Sequence, residues 1–155
     1  MRTKTHGGQT VPGDGRIRAR RLTTCHGVAT RQIVQAVRAA LGDTPCSSLA
    51  VVVVDDAQIM RLHEQFMGDS TPTDVLTFDL RDDLVEGPIE AEIVLSAETA
   101  ERQAREFHTE PGQELLRYAI HGTLHLVGFD DHTPSERRRA WERLWRGRQQ
   151  EPALT

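Results

Sequence analysis

No apolar run in this chain is long enough to cross a bilayer: the longest, Leu49 to Val54, falls far short of the ~20 residues a membrane helix needs. The amino-terminal stretch, Met1 to Gly15, is polar and glycine-rich and lacks the apolar core of a secretion signal. Cysteine is scarce. Cys25 and Cys46 do not make a disulfide framework, and no Cys-x-x-Cys spacing offers a thiolate metal site. Together these absences point to a cytoplasmic protein with two free thiols and no membrane contact. Excess basic charge is missing as well. A formal net charge of −4 argues against the broad basic surface of a protein that coats duplex DNA. It leaves room for a local basic patch that holds RNA phosphates.

What is present fits one globular domain. The 155 residues are 37% hydrophobic and 27% charged, enough to bury a single core, and no internal repeat or domain boundary interrupts them. The domain is expected over residues 16–150, behind a disordered tail at 1–15. Arg16 to Leu22 alternates weakly, as a first strand would. Ala29 to Leu41 has helical spacing and stops at Gly42. The β-branched run Leu49 to Val54 reads as a strand covered on both faces. Asp55 and Asp56 cap a helix that Gly68 closes. Further strands are expected at Asp74 to Leu80 and Ile89 to Ser96, with Ser96 capping a helix from near Ala97. Pro111 to Val127 is a long amphipathic helix. Thr133-Pro-Ser-Glu136 opens a last one carrying Trp141, Leu144 and Trp145. Strands alternating with helices predict an α/β (mixed α+β) domain, with a mixed sheet of about four strands and helices packed on it.

The chemistry concentrates in His121-Gly-Thr-Leu-His125-Leu-Val-Gly128-Phe-Asp-Asp131-His132. Histidines four apart share one helix face, so both imidazoles can reach one metal ion. Gly128 comes where a helix needs a residue tolerant of positive φ in order to stop, and the chain can then bring Asp131 or His132 back to the same ion. Three protein ligands with an open fourth position make a catalytic zinc arrangement, with one ion expected. The spacing is close to the zinc-peptidase signature HExxHxxGxxH, but Gly122 stands where that signature carries its glutamate base. A peptidase is disfavoured.

The segment His121 to Asp131, with Pro72-Thr-Asp-Val-Leu-Thr-Phe78 and Glu92-Ile-Val-Leu-Ser96, resembles the YbeY family of bacterial rRNA maturation factors, whose blocks read PTDVLSF, GDIxIS and HGxLHLxGYDH in the same order. The resemblance covers about Leu49 to Trp145. It implies a zinc-dependent, single-strand-specific endoribonuclease of 16S rRNA 3′-end maturation and ribosome quality control, with single-stranded RNA, rRNA and ribosomal particles as partners. Three departures qualify it. The family's third histidine position falls on Asp131, with His132 one residue later; helix-stop geometry leans to Asp131, and both stay open. Met67 stands where many members carry an arginine after an aromatic residue, here Phe66. Ala91-Glu92 replaces the usual Gly-Asp.

Arg117, one turn before His121, is the candidate catalytic cation; an ordinary intrahelical ion pair is the competing reading. Thr73 and Asp74 either line a substrate groove or cap and orient their strand, the second being favoured. The arginines of 137–148 form an RNA-facing strip or, with Trp141 and Trp145 as the core stripe, a solvated face. His63 reads as a packed helix residue, and His6, His26 and His108 lack partners at ligand spacing. The alternative function is a ribosome-assembly binding factor with a structural metal and little or no cleavage.

Overall fold

The computed structural model describes residues 16–128, apart from 26, 70, 72 and 82–86. Along it run β1 (Arg16–Arg21), α1 (Thr30–Leu41), β2 (Cys46–Val54), α2 (Asp56–Met67), β3 (Val75–Asp79), β4 (Ile89–Ser96), α3 (Ala97–Phe107) and α4 (Pro111–Leu126). The strands form one sheet in the order β1-β2-β4-β3. β1, β2 and β4 are parallel, and β3 joins the far edge antiparallel to β4. The mixed four-stranded sheet with packed helices is as the sequence predicts. The expected tail at 1–15 and the expected last helix lie outside the described residues.

The valine run shows why β2 is central. Val51 and Val53 face a core that includes Ile33 and Val37 of α1 and Leu115 and Ala119 of α4. Val52 and Val54 face the other way, onto Ile59 of α2, Leu76 and Val94. So α1, α3 and α4 contribute to the core on one face of the sheet, and α2 covers the other. β2 begins at Cys46, three residues before the apolar run suggests. Cys46 pairs with Ile89 ahead of a register shift, and Ser47 Oγ donates to the Ile89 carbonyl at 3.2 Å. Polar side chains at 47 and 48 hide that start from pattern reading. Cys25 and Cys46 are both buried free thiols; burial pushes the Cys46 thiol up against the opposing hydrogen bond from the Ser48 backbone.

Helices α2 and α3 start at the carboxyl ends of β2 and β4, where free N–H donors in such folds often hold anionic ligands. Here the chain commits several of them to its own side chains. Asp55 accepts from Gln58 N–H at 2.8 Å, Ser96 Oγ from Thr99 N–H at 3.1 Å, and Glu98 from Asp56 N–H at 2.7 Å. The Asp56 carboxylate then accepts from Ser96 Oγ at 2.7 Å, Thr99 Oγ1 at 3.1 Å and Arg102 Nη1 at 2.6 Å. One carboxylate thereby ties the start of α2 to β4 and α3.

This knot has a pH signature. Burial raises the Asp56 carboxyl, but hydrogen bonds from Arg102, Ser96 and Thr99 outweigh it and hold the group below its ordinary value. A carboxyl depressed on folding stabilises the protein above its unfolded pKa, about 3.9, and that stability is lost as pH falls through the folded value. Asp56→Asn is therefore expected to destabilise the chain at pH 7. The gap to the natural protein should narrow as pH falls from roughly 4 through the lower folded value, where the aspartate also becomes neutral. Denaturant unfolding at neutral and acidic pH measures both; a gap of equal size at both would mean that charge contributes nothing.

Candidate metal centre

Helix α4 carries the candidate ligands. Pro111 occupies its first turn, and Gln113 reaches back to accept from Glu110 N–H at 3.2 Å. Its sheet-facing stripe buries Leu115, Tyr118, Ala119 and Leu126, while Ile120 and Leu124 pack against Ala36 and Ala40 of α1. His121 and His125 occupy neither buried stripe: His121 is half-buried and His125 exposed. The i, i+4 spacing puts them one turn apart on one face. After Leu126 the helix stops as expected, with Gly128 at φ +95° and its N–H donating to the His125 carbonyl at 3.3 Å.

Gly122 lies between the two histidines where α4 packs against β3 and β4. A Cβ there would sit 3.1 Å from Thr77 Oγ1 and Ile93 Cγ2 and 3.3 Å from Val75 Cγ2. The glutamate of the zinc-peptidase signature therefore has no room: residue 122 points into β3 and β4, away from solvent. At the other end of α4, a Cβ on Gly112 would overlap the Gly27 carbonyl. Glycine at both points lets α4 lie tight against the sheet and the loop after β1.

The donor set suits a borderline-soft cation. Imidazole is a preferred zinc ligand, and the C-terminal end of a helix carries partial negative charge. Among the described residues no third His, Cys, Asp or Glu joins the two histidines in a metal-binding group. Both sequence candidates for the third ligand, Asp131 and His132, lie outside the described residues, as do the arginines of 137–148. Glu92 is no substitute. Its neighbours Ala91 and Ile93 point into the core beneath α4, so strand alternation turns Glu92 to the opposite face.

Arg117 sits where expected, one turn before His121, and Nη2 donates to Glu114 Oε1 at 2.6 Å. Glu114 is only 4% exposed and also accepts from Thr109 Oγ1 at 2.7 Å. A buried carboxylate needs such partners, so this ion pair has a structural purpose of its own. Next to it the Tyr118 hydroxyl is buried without a hydrogen-bond partner. Burial, then the negative Glu114 and Asp74, push its phenol far up. The Asp74 backbone carbonyl accepts from Ser96 N–H at 3.0 Å, a main-chain bond that does not depend on the aspartate side chain. Sequence reasoning missed Glu114 and Tyr118, because burial of a helical glutamate leaves no local signal.

Met67 ends α2 and is 58% exposed. Beside it Phe66 meets Phe78 edge-on, with ring centroids 5.2 Å apart. His63 Nδ1 lies 2.9 Å from the Thr71 carbonyl and ties α2 to the turn before β3, which is a packing role.

A family model described as endoribonuclease YbeY matches residues 21–144. A curated relative of that name from Anaeromyxobacter sp. (strain Fw109-5) is 38% identical over 125 residues, 81% of this chain and 60% of the relative. Another, from Rhodopirellula baltica, is 40% identical over 119 residues, 73% of this chain and 59% of its own length. The chain thus spans about three fifths of these relatives. A solution structure of a Thermotoga maritima protein aligns with TM-score 0.52 at 29% identity, covering 88% of this chain and 93% of that one.

The tight contact at residue 122 makes a prediction. Gly122→Ala should cost roughly 1–3 kcal/mol of stability by overpacking, since the nearest atoms belong to strand residues with little freedom to yield. Denaturant unfolding measures it. A variant as stable as the natural chain would show that α4 can lift from the sheet without loss.

Proposed function

The chain belongs to the endoribonuclease YbeY family, and from that premise we propose a zinc-dependent endoribonuclease that cuts single-stranded RNA, acting in 16S rRNA 3′-end maturation and ribosome quality control in the cytoplasm. Ribosomal particles are its proposed partners. The observation that carries this reading is the pair His121 and His125, one turn apart at the end of α4, inside the segment the family model matches. These two, with Asp131 or His132, would hold one zinc ion. When bound, the ion supplies Lewis acidity, lowering the pKa of water and polarising a phosphoryl oxygen. The chain's own part is to hold the imidazoles in place: α4 is fixed by its contacts with α1, β3 and β4, so both ligands ride on rigid backbone. Arg117 is the proposed cation for the substrate phosphate. One of its five N–H donors is committed to Glu114.

A second reading, a ribosome-assembly binding factor with a structural metal, draws on two observations. The charge of Arg117 is already opposed by buried Glu114, and Met67 presents an apolar side chain where many relatives have a guanidinium. Metal content measured beside cleavage of single-stranded RNA, with and without chelator, separates the two. Chelator-sensitive cutting supports the enzyme; a zinc-replete chain that never cuts supports the binding factor.

His121→Ala and His125→Ala should each lose bound zinc and melt at lower temperature, because a metal bound only by the folded state stabilises it. Full zinc retention by both would sink the site. Asp131→Ala and His132→Ala should differ sharply in zinc affinity, the larger loss marking the third ligand.

Met67→Arg is expected to raise the cleavage rate without changing zinc content, since a guanidinium at a developing phosphoryl charge is worth roughly 10- to 1000-fold when well placed. Arg117→Ala should depress cleavage in the natural chain and be tolerated beside Met67→Arg. If the single variants and the double variant all cut at the natural rate, neither position supplies charge, and the binding-factor reading takes precedence.

A further inference from the structure

Between residues 16 and 42 the chain has six arginines and no acidic residue, which leaves a formal −10 for the rest of a protein whose total is −4. The fold gathers this segment on one side. β1 is the sheet edge farthest from β3, and α1 contributes to the core beneath it. Ile17 is buried and Ala19 packs on that core, so Arg18 and Arg20 share the opposite face of β1, about 6.6 Å apart. Arg18, Arg20, Arg21 and Arg31 are all exposed. Three arginines elsewhere, Arg81, Arg102 and Arg117, each hold a carboxylate, and the exposed Arg61 and Arg105 stand on acid-bearing helices. Among the described residues no ion pair engages Arg18, Arg20, Arg21 or Arg31.

One or two charges on an edge strand are explained by the need to block edge-to-edge pairing. That need does not explain a segment free of acids that continues into α1. Arg18 and Arg20 lie on the sheet face opposite α4, but α1 links this edge to the candidate centre. Ala36 and Ala40 of α1 pack against Ile120 and Leu124, the residues immediately before His121 and His125. We infer that the β1–α1 edge is an accessory RNA-binding surface that holds phosphates flanking the segment presented to α4. This rests on the endoribonuclease reading for the identity of the polyanion. Guanidinium forks suit phosphate oxygens, and residues 43–128, with five arginines against seventeen acidic residues, offer RNA no comparable cationic stretch.

The test is binding of a fluorescently labelled single-stranded RNA 20-mer to the full chain, read by anisotropy at 4 °C across a salt series, with RNA integrity checked on gels. Arg18→Glu/Arg20→Glu is compared with Arg61→Glu/Arg105→Glu, an equal charge change at exposed sites on α2 and α3. Arg18→Gln/Arg20→Gln guards against misfolding, with thermal melting as the check. The edge variant should bind roughly tenfold or more weakly near 0.1 M salt. Its log Kd against log salt should flatten by about 1.4, given about 0.7 for each single-strand phosphate that the protein no longer neutralises. The control should change little. Equal losses in both variants would mean a net-charge effect and overturn the inference. Unchanged affinity in the edge variant, with cleavage by the natural chain intact, overturns this inference alone. If the natural chain neither binds nor cuts RNA, the endoribonuclease reading falls and this one with it. Anionic phosphatidylserine vesicles form a further arm: binding to them that the edge variant loses, with RNA affinity unchanged, would assign the edge to a membrane instead.

Discussion

Helix α4 lies tight against β3 and β4 at a residue with no side chain, Gly122. With side-chain atoms of Thr77, Ile93 and Val75 within 3.3 Å of where a Cβ would stand, a larger residue forces either those side chains or the helix to give way. That contact fixes the rotation of α4 about its axis, and the rotation decides what each neighbour does. Residue 122 faces the sheet, Ile120 and Leu124 face α1, and His121 and His125 are left together on a surface between. The same glycine removes the carboxylate of the zinc-peptidase signature. A single steric requirement both holds the imidazoles and denies the site a general base beside the first of them.

Charge in this molecule is sorted by burial. Carboxylates that leave full exposure acquire donors: half-buried Asp56 takes Arg102 with two hydroxyls, and buried Glu114 takes Arg117 with Thr109. Removing Arg117 would leave the buried Glu114 with a desolvated charge, which costs far more than a partly exposed pair such as Asp56–Arg102 contributes. These pairs anchor α2 to α3 and brace the first turns of α4. Their arginines are therefore structural first, unlike Arg18 and Arg20 of β1, which hold no carboxylate, and sequence distance from a histidine does not reveal the difference.

Much of this fold was legible from residues alone because local and global demands agree. Asp55 and Ser96 cap where their carboxylate and hydroxyl chemistry says they should, and Gly128 takes positive φ where α4 must end. The valine run is buried on both faces as its unbroken pattern implies. What stayed hidden is long-range or contrary to pattern. The start of β2 is held by pairing of Cys46 with Ile89 and of Ser48 with Glu90, not by hydrophobicity. The Asp56–Arg102 bond spans 46 positions, and no periodicity predicts it. The histidine pair could be read because helical spacing is local. Glu114's burial could not, because it depends on which way α4 turns, and Gly122 sets that through strands far away in sequence.

The missing base narrows the chemistry available at α4. Peptide hydrolysis asks for a group that moves a proton onto a poor leaving amine, and the position that supplies it in zinc peptidases is here packed into the sheet. Phosphoryl transfer leans more on orientation and on charge placed against the equatorial oxygens. A site with rigidly held imidazoles, no carboxylate at residue 122 and a cationic edge one helix away matches the second demand better than the first. Its weak point is local positive charge, since Arg117 already answers to Glu114 and Met67 offers none. Strengthening by arginines at a distance falls off within a Debye length of about 8 Å at physiological salt. Such arginines can therefore hold the flanks of a long polyanion but cannot stabilise the reacting phosphate itself. The proposed chemistry thus divides the work: α4 handles the scissile group, while β1 and α1 keep the strand in place.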